Sequence, residues 1–200
     1  MIPAREALER LKQGNETFRA GKGFHLETQT LLDSAQKDQK PFAIILGCSD
    51  SRVPAEIVFG QGIGDLFVIR VAGNIVAPSQ IASIEFAAEN FGTRLVVVLG
   101  HSRCGAVQAT LEQLVTPVES RSPHLSSIVD RIRPALEDLL PAEPSADLIL
   151  RAVRSNIAAS VQNLQRGSDI LKELISTEDL LITGAEYCLD TGEVIFLEGK

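Results

Sequence analysis

Two short segments of the sequence carry the side chains best suited to chemistry, and each directly follows a run of hydrophobic residues. They read GCSDSRVP over Gly47–Pro54 and GHSRCG over Gly100–Gly105. Cys48, His101 and Cys104 together offer two thiolates and one imidazole, a donor set that suits zinc. Three protein ligands leave one tetrahedral position free for water, which is typical of catalytic rather than structural zinc sites.

Asp50 is the candidate for the fourth position, and two roles for it remain open. Its carboxylate could bind the metal directly, or it could accept a hydrogen bond from metal-bound water while Arg52 holds it in a charge-assisted pair. We favour the second role at neutral to alkaline pH, because hydroxide competes better for the metal as the pH rises. A zinc-bound hydroxide oriented in this way could attack an electrophilic carbon at cellular pH.

The alternative interpretation of these residues is structural. Free cysteine is among the most buried residue types, so Cys48 and Cys104 could be core thiols beside a core histidine. Asp50 and Arg52 could form a surface ion pair worth at most ~1 kcal/mol. The remaining cysteine and histidines are interpreted as a core thiol and two solvated side chains: Cys188, His25 and His124.

The hydrophobic runs in the sequence predict buried strands. Three short runs rich in Ile, Val and Phe are Phe42–Leu46, Leu66–Ile69 and Leu95–Leu99. Because none alternates with polar residues, they suit a parallel sheet covered by helices on both faces. Leu180–Leu189 predicts a fourth strand, and the turn Asp190-Thr191-Gly192 leads into an antiparallel edge strand at Val194–Leu197.

Hydrophobic residues at helical spacing separate these strands. The first stripe, over Ala4–Phe18, predicts an amphipathic helix that packs on the core or on a partner subunit. Later stripes cover Ile81–Phe91, Val107–Leu114, Leu125–Leu136 and Ile149–Leu164. The predicted fold class is α/β: one domain over residues 1–200, whose mostly parallel central sheet has about four parallel strands plus an antiparallel edge strand, flanked by helices.

This architecture brings the two chemical segments together under one condition. In an open parallel sheet, ligands bind beyond the carboxyl ends of the strands, where the strand order reverses. If the first and third strands are neighbours, Cys48 meets His101 and Cys104 at that edge. The sequence therefore predicts a metal site at a switch point of the sheet.

Composition narrows the environment and the partners. The 200 residues include 19 basic and 26 acidic side chains, for a formal charge of −7, which disfavours nucleic acid and anionic membrane surfaces as partners. The apolar runs are far shorter than the ~20 residues of a membrane helix, and the charged first helix is unlike a secretory signal. Three cysteines without an export signal indicate a reducing compartment, which we expect to be the cytoplasm.

Three motifs resemble those of the β-class carbonic anhydrases. They are CSDSRVPAE over Cys48–Glu56, GDLFVIRVAGN over Gly64–Asn74 and GHSRCGAV over Gly100–Val107. The resemblance extends from the Gly14-Asn15 end of the first helix to the Asp190-Thr191-Gly192 turn, and so covers nearly the whole chain. The motifs are specific because they occur together and in the family's order.

The resemblance implies zinc-dependent, reversible hydration of carbon dioxide to bicarbonate and a proton. It implies that Cys48, His101 and Cys104 ligate one zinc ion per chain, and that Asp50 and Arg52 orient the zinc-bound hydroxide that attacks CO₂. It further implies a homodimer or a dimer of dimers. The residues that it places in the binding of CO₂ or bicarbonate are Gln39, Phe67, Phe86 and Gly105.

The sequence departs from one pattern within the family. Members of a second type bind bicarbonate away from the metal with a tryptophan, an arginine and a tyrosine, and then move the aspartate onto zinc. Arg70 and Tyr187 match the arginine and tyrosine, but Ile45 stands at the tryptophan position and cannot donate a hydrogen bond. Closure driven by bicarbonate is therefore not expected, while a pH-driven movement of Asp50 onto zinc stays open.

Other functions are compatible with the same residues. The same zinc centre could hydrolyse COS or CS₂, whose carbons are also linear electrophiles. The chain could instead be a non-catalytic zinc protein whose metal staples a dimer, or a redox sensor that forms a Cys48–Cys104 disulfide. Asp50 and Arg52 argue against both non-catalytic roles, since neither requires a charged pair beside an open metal position.

Overall fold

A five-stranded sheet forms the centre of the protein. The computed structural model describes residues 2–22, 28–116, 122–139 and 145–197. The strands, in chain order, are β1 (Ala43–Gly47), β2 (Leu66–Arg70), β3 (Leu95–His101), β4 (Leu181–Tyr187) and β5 (Val194–Leu197). Their order in the sheet is β2-β1-β3-β4-β5. The first four are parallel, and β5 runs antiparallel to β4 at one edge, as the sequence predicts.

Eight α-helices are described around this sheet. They are α1 (Ala4–Arg19), α2 (Thr28–Ala35), α3 (Ala55–Val58), α4 (Pro78–Asn90), α5 (Gly105–Val115), α6 (Pro123–Ile132), α7 (Ala146–Gly167) and α8 (Asp169–Thr177). The predicted stripe to Leu136 is not one helix, because α6 ends at Ile132 and a 3₁₀ turn at Arg133–Ala135 follows. Pro134 lacks the N–H group that would continue the α-helical ladder. No helix among the described residues combines the length and hydrophobicity needed to cross a bilayer.

Alternating side chains of the central strands fill two hydrophobic layers. On one face, residues such as Ile44 and Val96 pack against the layer that includes α4, α5, α6, α7 and α8. On the other face, Ile45 and Val97 pack against the layer that includes α1 and α3. Both faces are thus covered, which explains why the strands read as uninterrupted hydrophobic runs.

Helix α1 packs on the core of its own chain. Its Ala7 and Leu11 are completely buried, and Asn15 connects the helix to two distant segments. The Asn15 Nδ2 donates to the carbonyls of Val58 and Gly192 at 3.0 and 2.9 Å, and its Oδ1 accepts from Val194 N at 2.9 Å. The two part-buried hydrogen bonds to Gly192 and Val194 fix α1 against the turn between β4 and β5.

We expect Gly14→Ala to lower the free energy of unfolding by about 2–3 kcal/mol or more. A Cβ atom at Gly14 would lie 1.8 Å from the backbone oxygen of Phe59, and backbone cannot yield as a flexible side chain can. Urea denaturation of the two proteins measures the difference. Gly105→Ala is the matched control, because a Cβ there meets no atom within 4 Å; equal stability of both variants would contradict the close approach of α1.

The strand order creates a switch point between β1 and β3. From β1 the chain moves to β2 on one side, and it then returns to place β3 on the other side of β1. Ile44–Gly47 pairs in parallel with Val96–Leu99, so both strands end at the same edge. The segments after β1 and β3 therefore meet in the crevice where open α/β sheets bind ligands.

Candidate metal centre

The three predicted metal ligands meet at this switch point. Cys48 directly follows β1, His101 is the last residue of β3, and Cys104 directly precedes helix α5. Their ligand atoms all lie within 4.8 Å of one another. The three residues are 5%, 0% and 1% exposed, respectively. Two sulfurs and one imidazole nitrogen thus form a compact, buried donor set.

The imidazole of His101 has the tautomer that a metal ligand needs. Its Nδ1 lies 2.9 Å from the backbone oxygen of Ser102, and because a carbonyl can only accept, Nδ1 carries the proton. Nε2 therefore presents a lone pair, yet it is buried and has no hydrogen-bond partner among the described residues. A buried lone pair without a partner is costly, and a metal ion between Nε2 and the two sulfurs would satisfy it. The donor set therefore fits zinc.

Mutual contact and burial set the charge state of the two thiols. The close approach of the two thiols lowers the pKa of Cys48 and raises the pKa of Cys104, and burial adds to the rise at Cys104. The sulfur of Cys48 also accepts the backbone N–H groups of Asp50 and Gly73, each at 3.4 Å. The pair thus shares a proton that a divalent cation can replace, since thiols lose their protons when they bind metal.

Arg52 fixes the carboxylate of Asp50 beside the ligand cluster. The backbone N–H and Nε of Arg52 donate to Oδ1 at 3.0 and 2.9 Å, and its Nη2 donates to Oδ2 at 2.7 Å. These contacts hold the pKa of Asp50 well below its ordinary value, so the carboxylate is ionised and can only accept hydrogen bonds. Its Oδ2 lies 3.9 Å from Nε2 of His101. That oxygen has a further lone pair, which can accept a hydrogen bond from a molecule bound at the ligand cluster.

The loop between His101 and Cys104 is anchored to the end of β4. Ser102 N donates to the Tyr187 carbonyl at 2.9 Å, and the Ser102 hydroxyl accepts from Leu189 N at 3.0 Å. Arg103 has a left-handed backbone with φ 56°, and its guanidinium pairs with Asp190 at 2.9 Å. Because non-glycine residues rarely adopt this conformation, the contacts on both sides of it are what hold the loop in shape.

The residues considered for anion binding occupy three different settings. Arg70 is exposed, and its Nε and Nη2 donate to the carbonyls of Cys48 and Asp50 at 3.0 and 2.6 Å. Tyr187 is buried opposite His101 in β4, and burial raises the pKa of its hydroxyl. Ile45 is completely buried within β1. The guanidinium of Arg70 thus supports the backbone of the Cys48–Asp50 loop.

Phe67 and Phe86 lie together in an aromatic cluster beside edge strand β2. Their ring centroids are 6.1 Å apart, and each lies within 6 Å of the ring of Phe91, for which the sequence predicts only a place on an apolar helix stripe. Phe86 is 50% exposed. Phe91 also lines a surface recess of about 590 Å³ together with Gln39, so the predicted amide and the aromatic cluster border the same surface.

The remaining predicted residues lie in less constrained positions. Gly105 is the first residue of helix α5, next to Cys104. His124 is exposed on α6, and Cys188 is partly buried outside the ligand cluster, where the Thr191 hydroxyl lowers the pKa of its thiol. His25 lies outside the described residues. Neither His124 nor Cys188 joins the metal ligands in the described part of the chain.

Sequence reasoning missed the polar residues behind Cys48. Asn156 and Ser160 of α7 are buried and hydrogen-bond to the backbone of Gly73 and Asn74. The apolar stripe of α7 by itself predicts only packing in the core or at an interface. The available signal was two polar residues, four positions apart, on a face otherwise formed by apolar side chains such as Ile157.

The chain is similar to known proteins in both sequence and fold. Residues 43–194 match the family model described as carbonic anhydrase. "Carbonic anhydrase 2" of Mycobacterium tuberculosis is 36% identical over 191 residues, which cover 94% of this chain and 90% of that protein. The solved structure of the β-carbonic anhydrase CcaA is 29% identical, covers 96% of this chain and 95% of that chain, and superimposes with a TM-score of 0.74. A tetrameric β-carbonic anhydrase of Sordaria macrospora, 23% identical, has the same fold with a TM-score of 0.74 over 97% of this chain and 98% of that chain.

Proposed function

The chain belongs to the β-class of the carbonic anhydrase family, and from that premise we propose that it catalyses the reversible hydration of carbon dioxide to bicarbonate and a proton. We propose that residues 1–200 act as one domain with one zinc ion per chain. The observation that carries the proposal is the buried cluster of Cys48, His101 and Cys104, with the arginine-held carboxylate of Asp50 at its side. The fit of the cluster to zinc supports the choice of metal.

Asp50 is the residue that orients the nucleophile. Zinc bound to the two thiolates and the imidazole would act as a Lewis acid and make hydroxide available near neutral pH. The carboxylate of Asp50 accepts the hydroxyl proton as a hydrogen bond, so the oxygen lone pair is directed at CO₂. Arg52 keeps that carboxylate ionised and aimed, because it donates three hydrogen bonds to it.

The substrate side of the centre combines apolar and polar groups. Phe67 and Phe86 offer an apolar wall for CO₂, which carries no charge and needs no hydrogen bond. Gln39 offers an amide N–H for the anionic product, and the backbone at Gly105 completes this set. Gln39 and Phe91 line one recess, so the amide lies beside the aromatic cluster. This recess is at the amino ends of β1 and β2, whereas the ligands of the same chain follow the carboxyl ends of β1 and β3.

We further propose a homodimer or a dimer of dimers. Strand β2 is at the edge of the sheet, and on its outer side it pairs with no other described strand. Phe86 and Ile63 beside it are 50% and 48% exposed. A second copy at this edge would cover these apolar side chains and bring its own residues close to the substrate groups. Size-exclusion chromatography with light scattering tests the assembly.

The cysteines indicate where the protein works. All three are free thiols in the structure, and two of them must stay reduced to ligate the metal. We therefore propose a reducing compartment, the cytoplasm, as the site of function.

Stopped-flow hydration of CO₂ by zinc-loaded protein at pH 8 to 8.5 tests the proposed activity. We expect a rate well above buffer that scales with zinc stoichiometry, and parallel assays with COS and CS₂ to give slower turnover. Stoichiometric zinc without accelerated CO₂ hydration would overturn the proposal. Faster turnover of COS or CS₂ than of CO₂ would reassign the substrate.

A further inference from the structure

Helix α7 presents two buried polar side chains to the backbone behind the metal centre. Asn156 and Ser160 are only 2% and 3% exposed, and they lie one helical turn apart. The Asn156 Nδ2 donates to the Gly73 carbonyl at 2.8 Å, and the Ser160 hydroxyl donates to the Asn74 carbonyl at 3.1 Å. Both residues therefore hold the chain segment that lies beside the ligand cluster.

The gripped segment, Gly73-Asn74, is a strained corner after β2. Both residues have left-handed backbones, with φ 70° at Gly73 and φ 44° at Asn74. A side chain at Gly73 would place its Cβ 2.8 Å from Ile132 Cδ1 and 3.0 Å from Ala106 Cβ. A backbone of this kind persists only where its surroundings hold it, and the two α7 side chains are part of that support.

The corner reaches a metal ligand through one amide. Gly73 N donates to the Cys48 sulfur at 3.4 Å, in a fully buried contact. The carbonyl of Gly73 therefore accepts a hydrogen bond from Asn156, and its N–H group donates one to Cys48. A movement of the whole corner that breaks the first bond also shifts the second donor, because both groups belong to Gly73.

We propose that Asn156 is a positioning residue for the metal centre: it locks the Gly73 corner so that the Gly73 N–H group donates to the Cys48 sulfur. This inference rests on the proposed zinc centre and deepens it. A hydrogen bond to a thiolate stabilises the sulfur lone pairs and weakens their donation to the metal. The metal then keeps more of its Lewis acidity.

Cobalt spectroscopy separates this role from simple packing. Asn156→Leu keeps a similar volume but leaves the Gly73 carbonyl without its donor, and Ser160→Ala does the same to the Asn74 carbonyl. In cobalt-substituted protein, we expect Asn156→Leu to move the sulfur-to-cobalt charge-transfer band to longer wavelength. We also expect its zinc dissociation constant, measured by competition with a chromophoric chelator, to rise about 10- to 100-fold. The released corner no longer holds the Cys48 loop in its binding position, and this loss outweighs the stronger donation by the sulfur. Ser160→Ala should leave the band in place.

A measurement on the unsubstituted sequence guards against a variant that fails to fold. In protein loaded with cadmium-113, the Gly73 amide proton should couple to the metal through the Cys48 sulfur. Absence of that coupling, an unmoved band in Asn156→Leu, or equal band shifts in both variants would each overturn the inference. A chain that binds no metal would instead overturn the proposed function.

Discussion

Asp50→Asn is expected to leave zinc stoichiometry unchanged and to lower the rate of CO₂ hydration about 10²- to 10³-fold, within the range typical of a positioned proton-handling group. The amide has nearly the shape of the carboxylate, but it is uncharged and loses the charge-assisted pair with Arg52. One of its two terminal atoms is also a donor, which cannot accept the hydroxyl proton. The reacting oxygen then loses its orientation while Cys48, His101 and Cys104 remain.

The measurement is stopped-flow hydration at saturating and subsaturating CO₂, alongside metal analysis of the same samples. Because the interaction with Asp50 orients the nucleophile rather than the substrate, kcat should fall more than KM rises. Asp169→Asn is the control: that aspartate also pairs with a nearby cation, Lys172, but its side chain is 98% exposed on α8. A wild-type rate in Asp50→Asn with full zinc content would show that the carboxylate has no part in the reaction.

The elements and the ligands could be predicted because both signals are local. Each central strand is a continuous hydrophobic run, and Val194–Leu197 matches β5 without change. The predicted third strand stopped at Leu99, whereas β3 continues to His101 because Gly100 and His101 still pair with Glu186 and Tyr187. Backbone pairing, rather than hydrophobicity, carries the strand up to the first ligand.

The neighbourhood of the ligands could not be predicted in the same way. The pairing of β1 with β3 depends on contacts between residues more than 50 positions apart. From the sequence, this pairing could only be assumed. The role of Arg70 could not be predicted for the same reason. A guanidinium can bind an anion or a carbonyl group. Arg70 binds backbone carbonyls because the fold brings the Cys48–Asp50 loop within hydrogen-bonding distance of it.

The role of Asn156 could not be predicted for a different reason. Its neighbours Val153 and Ile157 are completely or almost completely buried, so the hydrophobic pattern correctly places this side of α7 in the core. The pattern says nothing about the left-handed corner at Gly73, whose carbonyl requires a donor at that depth. Buried polar residues of this kind form hydrogen bonds with backbone groups that are distant in the sequence. Their partners can therefore be identified only from the three-dimensional structure.

Loss of one sulfur should abolish the centre. We expect Cys104→Ala to weaken zinc binding by more than about 100-fold, beyond the usual cost of losing a group that only supports a ligand, and to reduce CO₂ hydration to the buffer rate. Only Cys48 and His101 would remain, and the thiol that lowers the pKa of Cys48 would be gone. Metal analysis after dialysis and chelator competition measure the loss.

Cys188→Ala provides the matched control for this change. It removes a thiol from the same chain, but that thiol is outside the ligand cluster, so zinc content and activity should match the parent protein. Thermal unfolding of the metal-free variants separates a lost ligand from a damaged core, because Cys104 is buried at the start of α5 and the substitution leaves a small void there. If Cys104→Ala folds and still holds one zinc ion at the parent affinity, the sulfur is not a ligand and the metal must be bound by other groups.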